Sequence, residues 1–320
     1  MLTIRSFVSI FLVAMLVLGA SVVSGQNYPN RTIRIVTAEP GGFIDFASRL
    51  IAPVLTRSLG QPVIVENRST IIATETVAKA SPDGYTLLVA GSTTWILPYM
   101  RDHVPWDPVR DFSPITLLGG SPIVLAVHPS VPVKSVTELI ALARSRPGEL
   151  NYVVGSNGTP AHLAAELFKT MAGINMVLIP YKGLGAAITA LLSNEVQLGF
   201  ASAGAVASHF KSGRLRVLAV TSAQPSELLP GLPTVAASGL LGYEAGTLFA
   251  MFAPAKTPAA IINRLNQETV RFLKTPEAKE RFLNSGVEVV GSTPGQLAVA
   301  FKSDMAKMGK VIKDAGIRAE

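Results

Sequence analysis

The chain reads as an α/β protein of two domains with a central ligand cleft and two interdomain crossings, and three observations lead there. Apolar β runs alternate with helix-period segments, the pattern of βαβ units on a largely parallel sheet. Residues 1–25 read as a removable leader, which leaves about 295 of the 320 residues, more than one hydrophobic core usually organises. Three glycine-bearing turns each follow a strand and precede a helix, the place where open α/β sheets bind ligands.

The elements follow in order. Residues 1–5 give a short positive start, 7–18 an apolar core, and Val23-Ser24-Gly25 a small-residue cleavage site before Gln26, together a signal peptide. The apolar run is shorter than the roughly 20 residues that span a bilayer, so the mature chain is expected to be exported and soluble. A first strand at 32–36 leads through a glycine turn to a helix at 45–58, where Ile44, Ala47, Leu50, Ile51, Val54 and Leu55 share one apolar face. A strand at 62–65, a helix at 70–80 ending in the turn Ser81-Pro82-Asp83-Gly84, and a strand at 85–90 come next. A strand at 122–127 runs into the proline loop His128-Pro129-Ser130-Val131-Pro132. Strand 150–154, helix 161–172, strand 176–179, helix 185–192 and strands 198–200 and 217–221 continue the alternation. A strand at 248–253 is the second place where the chain can recross, and helices at 258–274 and 294–313 finish it. The simplest division is a signal peptide at 1–25, one discontinuous domain from 26–125 and 250–320, and a second from 126–249, with crossings near 122–128 and 248–253.

Composition narrows the chemistry. Removing Arg5 with the leader takes the formal charge from +7 to +6, and the basic residues are spread singly. No basic stripe exists for nucleic acid, while a mild positive excess favours a small anionic ligand. There are no cysteines, hence no disulfide, thiolate chemistry or Cys-ligated metal. No Gly-x-Ser-x-Gly elbow, Walker motif or dinucleotide fingerprint occurs, so no catalytic residue and no cofactor are expected. His162 and Glu166 stand four apart on one helix, a spacing that can hold a metal, but with no third ligand in sight they read as a structural hydrogen-bonding pair.

The three turns carry the candidate site. In the first, Pro40, Gly41, Gly42, Phe43 and Asp45, the paired glycines permit close backbone approach and the helix start offers unpaired N–H groups to an anion. In the second, Ser156, Asn157, Gly158 and Thr159, Thr159 is a good N-cap with Pro160 at the first helical position. The third holds Tyr181 and Lys182 before Gly183. Each is also ordinary turn chemistry; together they suggest a cradle for a carboxylate. Asp45 has two readings, a ligand contact in the cleft or a charge that caps its own helix.

The chain resembles the substrate-binding proteins of tripartite tricarboxylate transporters, the Bug or TctC family. The likeness runs from Tyr28 to about Ile317. Its marks include Tyr28-Pro29-Asn30-Arg31-Thr32-Ile33-Arg34, Pro40-Gly41-Gly42 with Asp45, Val65-Glu66-Asn67-Arg68 and Ala78-Lys79-Ala80-Ser81-Pro82-Asp83-Gly84-Tyr85. Further on are His128-Pro129-Ser130, Asn157-Gly158-Thr159 with His162 and Glu166, Pro180-Tyr181-Lys182-Gly183 and Leu218-Ala219-Val220-Thr221-Ser222. The resemblance implies a periplasmic, type II-like binding-protein clamshell. It would be a monomer that captures a small carboxylate and delivers it to a membrane permease; a sensor presenting the same closed form to a receptor is the alternative.

The chain departs from the family where ligand identity is set. Arg68 runs directly into Ser69-Thr70-Ile71-Ile72-Ala73, where members carry a longer glycine-rich loop. Phe43 and Ile44 stand where Gly and Thr are common, Glu39 where Pro is usual, and Ala201-Ser202 where Asp-Asn is frequent. The resemblance adds Thr93, Trp95 and Ser202 to the candidate lining, with the core as the other reading of Trp95 and turn structure as the other reading of Tyr181 and Lys182. The altered residues make the cleft more apolar and point to a hydrophobic or aromatic carboxylate rather than citrate.

Overall fold

The structure is a computed structural model and describes residues 28–319; the expected signal peptide lies outside the described residues. Strand β1 (Ile33–Thr37) pairs in parallel with β2 (Val63–Asn67) and β3 (Thr86–Gly91). Helix α1 (Phe43–Leu59) joins β1 to β2, and α2 (Thr70–Ala78) joins β2 to β3. These are the βαβ crossovers that the alternating pattern predicts. After β3 come a single helical turn, α3 (Thr93–Ile96), and a 3-10 turn at Leu97–Tyr99.

Strand β4 (Phe112–Val127) is the backbone of the architecture. Its first part pairs antiparallel with β9 (Gly246–Pro254) and with the short β10 (Glu288–Val289), while Ile123 to Val127 pair antiparallel with β7 (Leu198–Ser202) and Val124 to Val127 with β8 (Arg216–Val220). Sixteen residues in one strand span roughly 50 Å at about 3.3 Å per residue. The continuous order is β2-β1-β3-β9-β4-β7-β5-β6, with β5 (Asn151–Val153) and β6 (Val177–Leu178) at the far end. Pairing partners change at Pro122/Ile123 on β4, and β9 begins at Gly246.

The expected strand at 122–127 is the second part of β4 only. Pro114 and the pair Gly119-Gly120 read as breakers of any earlier strand, because proline cannot donate to a ladder and glycine weakens one. The strand absorbs them through register shifts between Pro114 and Thr116 and between Leu117 and Gly119, the bulges that such residues mark. Gly119 has a further reason: a Cβ there would lie 2.5 Å from the Glu288 carbonyl oxygen, whereas one on Gly120 would meet nothing nearer than 3.7 Å. G119A is therefore expected to cost about 1 to 3 kcal/mol through overpacking against backbone and G120A much less, a difference read directly from urea denaturation midpoints.

The helices sort by face. On one side of the first half, α1 packs with α8 (Ala259–Leu273) and α9 (Pro276–Asn284) over Ile33, Ile35, Leu87 and Val89. The alternate residues Val36, Leu88 and Ala90 face the other side, the period-two rule of a strand. There they join α2, α3 and α10 (Pro294–Asp314) in a core that continues without a break into the second half, through Leu125, Tyr152, Phe168 and Tyr243. A third cluster lies behind β4 at Val124 and Ala126, under α6 (Leu184–Leu192) and α7 (Ala203–Lys211). Helix α4 (Val136–Ser145) was not anticipated, although Ser135 and Glu138 carry its start signal: the Ser135 hydroxyl accepts from Glu138 N and the Glu138 carboxylate from Lys134 N. Among the described residues no helix is long and apolar enough to cross a membrane.

Candidate functional site

The three turns come from the carboxyl ends of their strands. Gly41 to Phe43 open α1, whose N-cap Gly42 has extended backbone and supplies no side-chain cap. The N-cap of α2, Ser69, likewise makes no side-chain bond to its helix. Both starts therefore leave first-turn N–H groups without a side-chain acceptor, each a partial positive charge. Helix α5 (Pro160–Ala172) differs: the Thr159 hydroxyl accepts from His162 N and donates to Ser156 O (2.8 Å), closing its own turn. Gly183 N donates to Gly155 O (3.0 Å), which ties the third turn to the second. The second turn also reaches across: Gly158, at φ 70°, is so close to Met100 of the first half that a Cβ would stand 3.0 Å from its sulfur.

A cavity of about 230 Å³ lies between the starts of α1, α2, α3 and α5. Ile44, Ala73, Leu88, Ala90 and Phe249 give it apolar walls, and Thr70, Thr74, Thr93, Thr94 and Thr247 put threonines around it. Pro160, at the start of α5, closes it from the second half. Among the described residues no ionisable side chain lines it. The Ser92 hydroxyl, 2% exposed in the turn between the lining residues Gly91 and Thr93, makes no hydrogen bond among the described residues, an unusual state for a buried polar group.

Asp45 sits beside the cavity but faces its own turn. Its carboxylate accepts from Gly41 N (3.2 Å) and Asn67 Nδ2 (2.9 Å) and pairs with Arg49 Nε (2.9 Å). Burial pushes its pKa up, but the hydrogen bonds from Asn67, Arg49 and Gly41 outweigh that and hold it below the usual carboxylate range. A depressed folded-state pKa adds stability that is present above the unfolded value, near 4, and is lost as pH falls through the folded value. D45N is thus expected to lower the melting temperature at pH 7 and to lose that deficit as pH falls through the folded value, as thermal melts across pH will read.

The family model described as "Tripartite tricarboxylate transporter family receptor" matches residues 47–317. The chain belongs to this family. Protein BugT of Bordetella pertussis is 35% identical over 305 residues, covering 93% of this chain and 94% of that protein. The structure of R. palustris Rpa4515 with adipate aligns at a TM-score of 0.72 with 35% identity, over 91% of this chain and 99% of the other. A TctC solute-binding protein from Polaromonas, solved with no ligand, superposes at a TM-score of 0.83 with 24% identity, over 90% and 99% of the two chains. The fold is thus that of periplasmic solute-binding proteins.

In this receptor the expected site residues divide. Thr93 lines the cavity, and Phe43 and Thr159 flank the lining residues Ile44 and Pro160. Pro40, Gly41, Gly42, Ser156, Asn157 and Lys182 lie exposed at the turns. Ser202 is half-buried, paired with Ile123 at the crossing. Trp95 follows its core reading: it is 1% exposed, its ring meets Phe252 edge-on and Phe301 at a tilt, and it donates its Nε1–H to Asp304 (2.7 Å). The short α3 turns the indole inward because the apolar face of α10 lies beneath it. Phe43 is likewise turned to the α1 face, its ring 4.4 Å from that of Phe249 and edge-on to Phe282. The Tyr181 hydroxyl donates to Glu195 of its own half (3.0 Å).

His162 ties the receptor's second turn to α5, and Glu166 ties α5 to β5. His162 Nδ1 accepts from Gly158 N (3.1 Å), while Glu166 binds the Tyr152 hydroxyl and Lys169. Burial pushes the His162 pKa down, which keeps the ring neutral and able to accept. Thr70, Thr74, Thr247 and Phe249 are lining residues that sequence reading missed. The departure at Ser69 to Ala73 pointed to Thr70, Thr74 follows one residue beyond it, and nothing short of the β3–β9 register marked the others.

Proposed function

We propose that this receptor captures a small carboxylate with an apolar chain or ring in the cleft between its halves and hands it to a membrane permease of the tripartite type. The carrying observation is the cavity: apolar walls, threonine hydroxyls, and no side chain of either charge. A citrate-like polyanion would bury several charges there with no compensating cation, a costly arrangement. One carboxylate can instead be met by uncapped first-turn N–H groups of α1 and α2, with the free Ser92 hydroxyl close by and the apolar chain against Ile44, Leu88 and Phe249. Adipate, which Rpa4515 holds, has this chemistry, a methylene chain ending in carboxylates.

The two halves, residues 26–125 with 250–320 and residues 126–249, hinge where β4 changes partners and β9 begins. Gly41, Gly42, Ser156, Asn157, Thr159, Lys182 and Ser202 are the residues that closure brings toward the solute, since only the closed form lets both halves touch one ligand. The receptor works as a periplasmic monomer without catalysis. Thermal-shift titration of residues 26–320 with aliphatic dicarboxylates of increasing length, aromatic acids and citrate tests the reading. A binder of the folded state adds about 2.7 kcal/mol at a hundredfold excess over its Kd. The expected result is a shift with apolar-chain acids and none with citrate; a larger shift with citrate, or none with any acid, overturns it.

A further inference from the structure

The outer face of α1 carries chemistry that solute capture does not use. Arg49, Pro53 and Arg57 stand four residues apart and exposed, so they form one ridge along the helix. A groove runs on each side of it and both share these three residues: about 620 Å³ toward α8 and α9, and about 550 Å³ toward β2. The first has an apolar floor of Leu50, Val54 and Phe272, the second one of Val63 and Val65.

The charge on the ridge is unbalanced. The first groove is bordered by Arg49, Arg57, Arg271 and Arg281 against Glu268 and Glu277. Arg271 pairs with Glu268 (2.9 Å) and Arg281 with Glu277 (3.1 Å), while Arg49 is drawn to Asp45. Arg57 has no hydrogen-bond or ion-pair partner among the described residues. Guanidinium groups beside an apolar floor match a segment that offers carboxylates with apolar side chains between them, since arginine binds carboxylates in a fixed fork and is enriched at protein interfaces. An anionic bilayer is a poorer match, because basic groups that bind a headgroup layer work from a protruding face whose apolar side chains insert into it, and here the apolar side chains are recessed.

We propose that the Arg49–Pro53–Arg57 ridge is the docking surface for an acidic, apolar-interspersed segment of the membrane partner; this rests on the delivery reading above. The ridge is also wired to the solute turn. Arg49 donates to Asn67 (2.8 Å) and pairs with Asp45, whose other oxygen accepts from Gly41 N. A partner carboxylate that engages Arg49 therefore competes for the group that holds the Pro40 to Gly42 turn, which gives docking a route to loosen the solute.

The test places a benzophenone amino acid at Pro53 of the full chain in its native cells and maps the photocrosslinked peptides by mass spectrometry. The expected product is a periplasmic segment of an integral membrane protein bearing two or more carboxylates. R57E should reduce that product at least tenfold while leaving the solute-induced melting shift of the purified receptor unchanged, and R57K should restore most of it. Crosslinks confined to phospholipid, to a second copy of the chain or to soluble proteins overturn the proposal, as does a product indifferent to R57E. If R57E erases the melting shift itself, the ridge belongs to solute binding and the docking assignment fails. Absence of a melting shift with every acid in the parent chain would instead sink the delivery reading.

Discussion

W95A is expected to destabilise the receptor by about 3 to 5 kcal/mol, the usual cost of truncating a buried tryptophan, and to do so without any solute contact being lost. The indole is enclosed by Phe252 and Phe301 and its nitrogen is the hydrogen-bond donor to Asp304. Burial pushes the Asp304 pKa up, opposed by the bond from Trp95 and the charge of Lys307, with Glu244 adding to the rise. W95F refills most of the space but removes the donor. An acid whose folded-state pKa is raised binds its proton more tightly folded than unfolded, so its penalty is absent below the unfolded value and grows as pH rises through the folded one. The W95F deficit should accordingly be larger at pH 7 than at pH 4. The double variant W95F/D304L should recover part of the loss at pH 7, because removing both partners leaves no orphaned carboxylate. Urea denaturation at the two pH values separates these outcomes; a pH-independent W95F deficit would show that Asp304 does not depend on the indole.

G42E is expected to do the reverse, weakening solute binding with little change in stability. Gly42 has φ −87° and ψ 171°, extended backbone open to any residue, and a Cβ on it would meet nothing within 4 Å. Gly41, at φ 93°, would be strained by the same change. A glutamate at Gly42 sets a carboxylate at the start of α1, where it takes up the partial positive charge offered to the solute. Helix-end charge interactions reach about 2 kcal/mol in partly buried sites, so a Kd about thirtyfold weaker is expected from calorimetry. Unchanged affinity in a folded G42E would remove the first turn from the site. G42Q, of the same size without charge, should fall between the two.

The sequence made the framework legible because period-two and period-3.6 patterns are written in every layer of the sheet and its helices. It concealed what depends on pairing across the chain. The first part of β4 hides behind Pro114 and Gly119, which are tolerated only because β9 and β10 flank them. Trp95 could be read as cleft or core because it follows a ligand-bearing turn, and the seat of α10 beneath it turns the ring inward. The glycine turns were readable from composition, but the capped start of α5 and the bare start of α2, each with a hydroxyl residue at its N-cap, look alike in the sequence until the hydroxyl of Thr159 is seen bonded and that of Ser69 is not. Thr247 and Phe249 enter the cavity solely through the register of β9 on β3.

That register has a temporal consequence. Val89 lies against Met251, 162 positions later in the chain, and the first part of β4 has its partners only once β9 and β10 exist. Ends so far apart close slowly, since loop-closure entropy must be met before the contacts repay it. A nascent chain emerging in order thus keeps β3 without β9, and the first part of β4 without β9 and β10, until its last quarter appears. Such a chain stays threadable while it is being made, and becomes resistant to unfolding only after its C-terminal helices have arrived to complete the first half.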